Sequence, residues 1–186
     1  LRNETDRRGL HVDVLVNNAG FGTGKDVVDD DPERLEQEVR LNCLAVVGLT
    51  ARYLPAMRER GSGTIINISS AAAFQPMPHM AVYGATKAFV LSFTEALWRE
   101  TRRDGIRVLA VCPGSTDTPF FQVADEGTVV GRLRSTRQVL DTTMRALRGS
   151  GPSVVDGLGN AVVARFLTRV LPKRALLAAV DRVFRR

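Results

Sequence analysis

The chain has 186 residues, 44% of them apolar, with two cysteines and a formal net charge of +6. That length suits one domain with a real core, no apolar run approaches the ~20 residues of a membrane helix, and residues 1–12 are too polar for a signal peptide. The positive charge does not spell a nucleic-acid binder: Arg165, Arg169, Lys173, Arg174, Arg182, Arg185 and Arg186, opposed in residues 160–186 by Asp181 alone, account for the whole excess and leave the body neutral.

In chain order, residues 12–16 (VDVLV) read as a first strand, unalternating and so expected to be covered on both faces. Asp31-Pro32-Glu33 is a helix start, with Asp31 placed to accept from the first-turn amides, Pro32 at the first helical position and Glu33 at the positive dipole end. The helical pattern continues to about Arg60, with Pro55 expected to kink it and Gly61 to stop it. GTIINI at 63–68 is a second buried strand, 79–103 a long helix, and 106–112 a third strand halted by Pro113-Gly114. A helix at 135–147, a short strand at 153–155 and basic tail helices broken at Pro172 complete the series. Strands separated by helices imply parallel crossovers and a covered α/β sheet. The loose stretch 115–131 follows a strand's carboxyl end, where open α/β sheets bind ligands, and marks 115–150 as a lid region over the substrate.

The glycine-rich loop after the first strand, NNAGFGTGKD, is not a phosphate cradle. Counting back from Gly24-Lys25 puts Ala19 where a P-loop needs glycine, and Asp26 replaces the magnesium-binding hydroxyl. Gly20 and Gly22 fit the dinucleotide fingerprint, but Lys25 stands where its third glycine belongs. Cys43 and Cys112 sit in apolar contexts and read as core residues of a reducing compartment; neither His11 nor His79 has a partner at metal-ligand spacing. A cytoplasmic protein without a metal is the expectation.

The strongest chemical signal is HMAVYGATKAFVLSF. Lys87 is the one charge between Met80 and Thr94, and it lies one helical turn beyond Tyr83, on the same face. A nearby ammonium favours phenolate, which makes Tyr83 a proton donor or acceptor for a carbonyl/alcohol pair. The plainer alternative is a core tyrosine beside a snorkelling lysine. Against it, the chain uses arginine for nearly every cation and keeps lysine for Lys25, Lys87 and Lys173 only. NISS, 67–70, ends the middle strand with hydroxyls able to hold a substrate oxygen.

NNAG (17–20), Asn42 in RLNC, NISS, Tyr83-x-x-x-Lys87 and PGSTDT (113–118), in this order and spacing, resemble the short-chain dehydrogenase/reductase family. The match runs over about 12–118. The resemblance implies a partial Rossmann-like, doubly wound parallel sheet, in which the NNAG strand is the fourth and the first three strands have no counterpart in this chain. It implies NAD or NADP as cofactor and a small-molecule ketone, aldehyde or alcohol as substrate. Ser70, thirteen residues before Tyr83, would be the catalytic serine, with Ser69 structural. Tyr83 would be the general acid/base, and Lys87 would lower its pKa and bind the nicotinamide ribose. Asn42 would hold a relay water at a break in the helix. Asn17, Asn18, Ala19 and Gly20 would flank the adenine-ribose side, and Pro113, Gly114, Thr116 and Thr118 would meet the carboxamide and phosphates.

The family's glycine-rich pyrophosphate turn is missing here, so residues 1–186 are expected to form a single domain of this type, N-terminally truncated, with weak cofactor binding and a bare sheet edge. Phe74, Met77 and Met80 suggest a lipophilic substrate, and the apolar catalytic helix suggests a homo-oligomer. The alternative function is a non-catalytic binding or membrane-surface module, supported by the basic amphipathic tail at 160–186. The favoured reading of that tail has its apolar residues covering the sheet or a subunit interface.

Overall fold

A computed structural model of the chain describes residues 2–120 and 133–185; residues 121–132 of the expected lid region lie outside the described residues. A short helix α1 (Arg2–Arg7) leads into strand β1 (Val14–Asn17). Helix α2 (Pro32–Val39) begins as expected, with the Asp31 carboxylate accepting from the Glu33 amide at 3.0 Å. It passes through one π-helical turn, Arg40–Leu44, into α3 (Ala45–Glu59), which carries Pro55 inside it and stops before Gly61 at φ +66°. Strand β2 (Gly63–Ile68), helix α4 (Ala81–Glu100) and strand β3 (Ile106–Cys112) follow. Helix α5 (Thr136–Arg148) opens on a capping box in which Ser135 and Gln138 exchange side-chain and backbone bonds. Strand β4 (Ser153–Val155) precedes the tail, which comprises α6 (Leu158–Val162), a π turn (Val163–Leu167), α7 (Thr168–Val170) and α8 (Lys173–Phe184).

The four strands pair in the order β1-β2-β3-β4, all parallel, with Ile65 opposite Leu15 and Val108, and Ile66 opposite Val16 and Leu109. One sheet face packs Leu15, Ile65 and Val108 against Tyr53, Met57 and Leu97 of α3 and α4. The other packs Ile66, Leu109 and Val111 against Val139 and Leu147 of α5. Residues of β2 and β3 are therefore buried on both sides, which is why those strands read as unbroken apolar runs.

The first strand departs from expectation. Leu15 and Asn17 are buried, but Val14 and Val16 are 55% and 51% exposed. The physical reason is lateral: Val14 and Val16 point to the α5 face, and α5 covers only the β3–β4 side of it. Among the described residues β1 also has a neighbour on one edge only.

Two polar tethers fix the sheet to its helices. Asn17 Nδ2 donates to Asn67 Oδ1 at 2.8 Å, and Asn67 Nδ2 donates to Thr94 Oγ1 at 2.9 Å, so a buried chain runs from β1 through β2 into α4. Asp156, fully buried after β4, takes both ends of the Arg134 guanidinium and the Thr142 hydroxyl at 2.6 Å. Satisfied this way, the buried charge holds the β4 end and α5 together.

Candidate active site

At the carboxyl ends of β1, β2 and β3 the first turns of α4 meet the loops. Tyr83 (9% exposed) and Lys87 (6% exposed) share one inward face of α4, with Lys87 Nζ 5.7 Å from the Tyr83 ring centroid. The Lys87 ammonium donates to the Ile68 carbonyl at 3.0 Å, at the tip of β2. Two residues on, Ser70 caps a single 3-10 turn (Ala71–Phe74), accepting from the Ala72 amide at 3.1 Å, and its hydroxyl lies beside the Tyr83 phenol, favouring the ionised form. Ser69 turns the other way and donates to the Lys87 carbonyl at 2.7 Å. The extended backbone of the strand end thus separates the two serines onto opposite sides.

Burial pushes the Tyr83 phenol up to about 12; the Ser70 hydroxyl pulls it back and the Glu38 charge adds a smaller push. The Lys87 ammonium lies over the ring face and is bonded to Ile68 O. Burial in turn lowers Lys87 to about 8.

Gly22 makes the lid of the phenol: a Cβ there would sit 2.7 Å from Tyr83 Cδ2. The NNAG loop is therefore stacked on the tyrosine, and its glycines serve close packing instead of phosphate binding. Gly20 lies against Asn42, where a Cβ would be 2.8 Å from Oδ1 and 3.5 Å from Lys87 Nζ. Asn42 sits on the π turn, as expected for a break in the helix. Its amide donates to Phe21 O at 2.8 Å and to Thr86 Oγ1 at 3.0 Å, and its carbonyl accepts from the Phe21 amide at 3.2 Å. Asn42 thereby ties the NNAG loop to α4.

Of the expected cofactor residues, Asn17 is turned inward and spent on Asn67 and Thr50. Asn18, Ala19 and Gly20 continue from the β1 tip toward the site. Pro113 accepts from the Ala71 amide at 2.8 Å, joining the β3 tip to the turn after Ser70. Gly114 packs under the Asn160 side chain, and Thr116 and Thr118 close successive turns on Gly114 O and Thr116 O at 3.0 and 3.4 Å.

Three features escaped the sequence. Met77 and Met80 do gather round Tyr83, with Ala72, Phe120, Val180 and Phe184, but Phe74 packs instead with Ala161 and Ala164 on the tail. His79 adopts φ +64° and bridges Asp26 at 2.8 Å and Asp181 at 3.0 Å, anchoring α8 over the phenol. Its contact holds the Asp181 carboxyl below the usual range. Glu38 is fully buried behind the loop. It accepts from Thr23 Oγ1 at 3.2 Å with its other oxygen unpartnered, and burial raises it to about 7. The one legible clue was spacing, since Glu38 precedes Asn42 by one turn and shares its inward face.

The residues fit one end of a nicotinamide dinucleotide. Lys87 has three N–H donors in a buried setting and one acceptor, Ile68 O, which suits ribose hydroxyls. Nothing among the described residues forms a pyrophosphate cradle.

A parallel sheet with helices on both faces and polar residues gathered at its carboxyl edge defines a Rossmann-like α/β domain. The profile of the short chain dehydrogenase family matches residues 3–128, and the chain belongs to that family. Among similar proteins, a putative ketoacyl reductase of Streptomyces coelicolor is 44% identical over 111 residues, covering 59% of this chain and 42% of that protein. The very-long-chain 3-oxoacyl-CoA reductase of Bos taurus is 40% identical over 120 residues, covering 62% and 38%. An uncharacterised oxidoreductase of Staphylococcus epidermidis is 34% identical over 117 residues, covering 63% and 51%. The chain thus spans about half the length, or less, of these relatives. A short-chain dehydrogenase from Burkholderia cenocepacia in complex with NADP superposes with TM-score 0.80 at 28% identity, covering 96% of this chain and 74% of that one.

Proposed function

We propose that the chain is the catalytic portion of an NAD(P)-dependent oxidoreductase that interconverts a lipophilic ketone or aldehyde with its alcohol. The observation that carries this reading is the Ser70–Tyr83–Lys87 group, one hydroxyl beside a phenol and one ammonium over its ring, inside an otherwise apolar cluster. The dinucleotide, when bound, supplies or accepts the hydride.

In the reducing direction Tyr83 gives its proton to the carbonyl oxygen. A phenol pushed up by burial is held protonated for that role, and Ser70 donates to the same oxygen. Lys87 orients the ribose end and, lowered to about 8, exchanges protons near neutrality. Asn42 holds the NNAG loop in place and offers its remaining lone pair to a relay water. Pro113, Gly114, Thr116 and Thr118 border the nicotinamide side. Met77, Met80, Val180 and Phe184 surround the phenol with apolar surface, which supports a lipophilic substrate, as do the names of the ketoacyl reductase relatives. Phe120 packs on Tyr83 and borders the substrate side, as do Val180 and Phe184 of the tail, whereas α5, in the 115–150 region expected to form the lid, packs on the sheet face instead. Pairing of two copies through α4 would cover Phe89, which is exposed and stacks on Phe93.

The test is turnover of a long-chain 3-oxoacyl thioester with millimolar NADPH, read by nicotinamide absorbance. Tyr83→Phe is expected to reduce it roughly 100- to 10,000-fold with an unchanged melting temperature. Equal turnover in the variant sinks the reading. A second reading, binding without turnover, is favoured by the lack of a pyrophosphate cradle among the described residues; no turnover in the unmutated chain at saturating cofactor would select it.

A further inference from the structure

We propose that the outward face of the α6–α7 helix is a docking surface for an anionic lipid bilayer, beside the Tyr83 cluster. The sequence favours apolar tail residues turned inward, and for α8 that holds: Leu176 is buried, and Val180 and Phe184 pack on the tyrosine cluster. For α6–α7 the amphipathicity is inverted. The side chains that face the protein are small, Ala161 and Ala164 against Ala73 and Phe74, with Thr168 bonding back to Ala164 O at 2.7 Å. The large ones face out: Leu158 is 90% exposed, Val162 57%, Phe166 62% and Val170 63%. These four are spaced by four residues and form one continuous stripe along the helix.

A contiguous apolar patch of this kind marks a binding surface, and the surrounding charge identifies its occupant. Arg165 and Arg169 lie on the same helix, and Lys173 and Arg174 open the next; all are exposed, and none has a carboxylate partner among the described residues. Asp181, the one acid of the tail, is already engaged by His79 and Arg185. A second copy apposed on this stripe would bring cations to cations, the tail's one acid being already engaged. An anionic bilayer satisfies both features at once, with apolar side chains entering the acyl boundary and arginines reaching headgroup phosphates. Because α6 packs directly on the turn that follows Ser70, a bilayer held there lies about one helix diameter, ~10 Å, from the tyrosine cluster. Delivery of a lipophilic carbonyl from that surface rests on the function proposed above; the docking does not.

The experiment is co-sedimentation of the full 186-residue chain with vesicles of phosphatidylcholine and phosphatidylserine at three to one, and with phosphatidylcholine alone. Binding to the anionic vesicles is expected, weakening between about 0.1 M and about 0.5 M salt. The triple variant Val162→Ser, Phe166→Ser, Val170→Ser, whose folding is checked by its melting temperature, should lose at least tenfold in partitioning. The variant Arg165→Gln, Arg169→Gln should lose roughly fivefold per arginine. No binding to anionic vesicles, or binding that the triple variant leaves unchanged, overturns the inference. So does a concentration-dependent dimer in analytical ultracentrifugation that the triple variant dissolves, which would assign the stripe to a second copy.

Discussion

Replacing Glu38 with glutamine isolates the energetic consequence of the buried carboxyl behind the NNAG loop. Glu38 has no exposed surface, one hydrogen bond from Thr23 and one oxygen without a partner. Burial raises it from 4.5 to about 7; Thr23 pulls it down, Asp30 pushes it further up and Lys87 pulls it slightly down. Below pH 4.5 the carboxyl is neutral in both folded and unfolded chains, and its burial carries no charge penalty. Between 4.5 and about 7 the unfolded chain releases the proton that the folded chain keeps, so stability falls as pH rises through that window. Above it the loss is complete, and a shift of this size corresponds to about 3 kcal/mol. Glutamine has nearly the same shape and never ionises. The variant is expected to match the unmutated chain at pH 4.5 and to exceed it by up to about 3 kcal/mol at pH 8. Urea denaturation at both values reads the difference, since groups not coupled to Glu38 cancel between the two proteins. A stability difference that is the same at both pH values, or one that turns against glutamine as pH rises, refutes the reasoning.

Two further outcomes follow from the geometry. Gly22→Ala places a methyl 2.7 Å from Tyr83 Cδ2 and must displace the ring or the loop, so it should destabilise the chain by about 1–3 kcal/mol in thermal denaturation and lower turnover; an unchanged melting temperature counts against the stacked loop. Calorimetry with NADPH on this chain should give a Kd weaker than roughly 100 μM, because only the ribose-nicotinamide end finds donors; low-micromolar binding would show that the described residues hold the dinucleotide in a way not accounted for above.

Much of this protein was legible in the amino-acid order. Strands β2, β3 and β4 fall where the apolar runs lie, because a strand covered on both faces must be apolar throughout. The start of α2 followed from Asp31-Pro32, and the pairing of Tyr83 with Lys87 from helical periodicity, since both signals are local. Only the family resemblance distinguished Ser69 from Ser70 in the sequence; in the structure Ser69 donates to Lys87 O and Ser70 lies beside the phenol.

What the tertiary structure alone decided depends on burial, which is a property of neighbours distant in the chain. Val14 and Val16 have the composition of a covered strand and lie bare, because α5 does not extend over them. The phenol is made less acidic by its burial among apolar side chains, which outweighs the opposing pull of Ser70. The tail's apolar residues looked alike in sequence, yet α8 turns Leu176, Val180 and Phe184 inward while α6–α7 turns Leu158, Val162, Phe166 and Val170 to solvent and meets Ala73 and Phe74 with Ala161 and Ala164. Periodicity fixes which residues share a face; only packing decides which face is hidden from water.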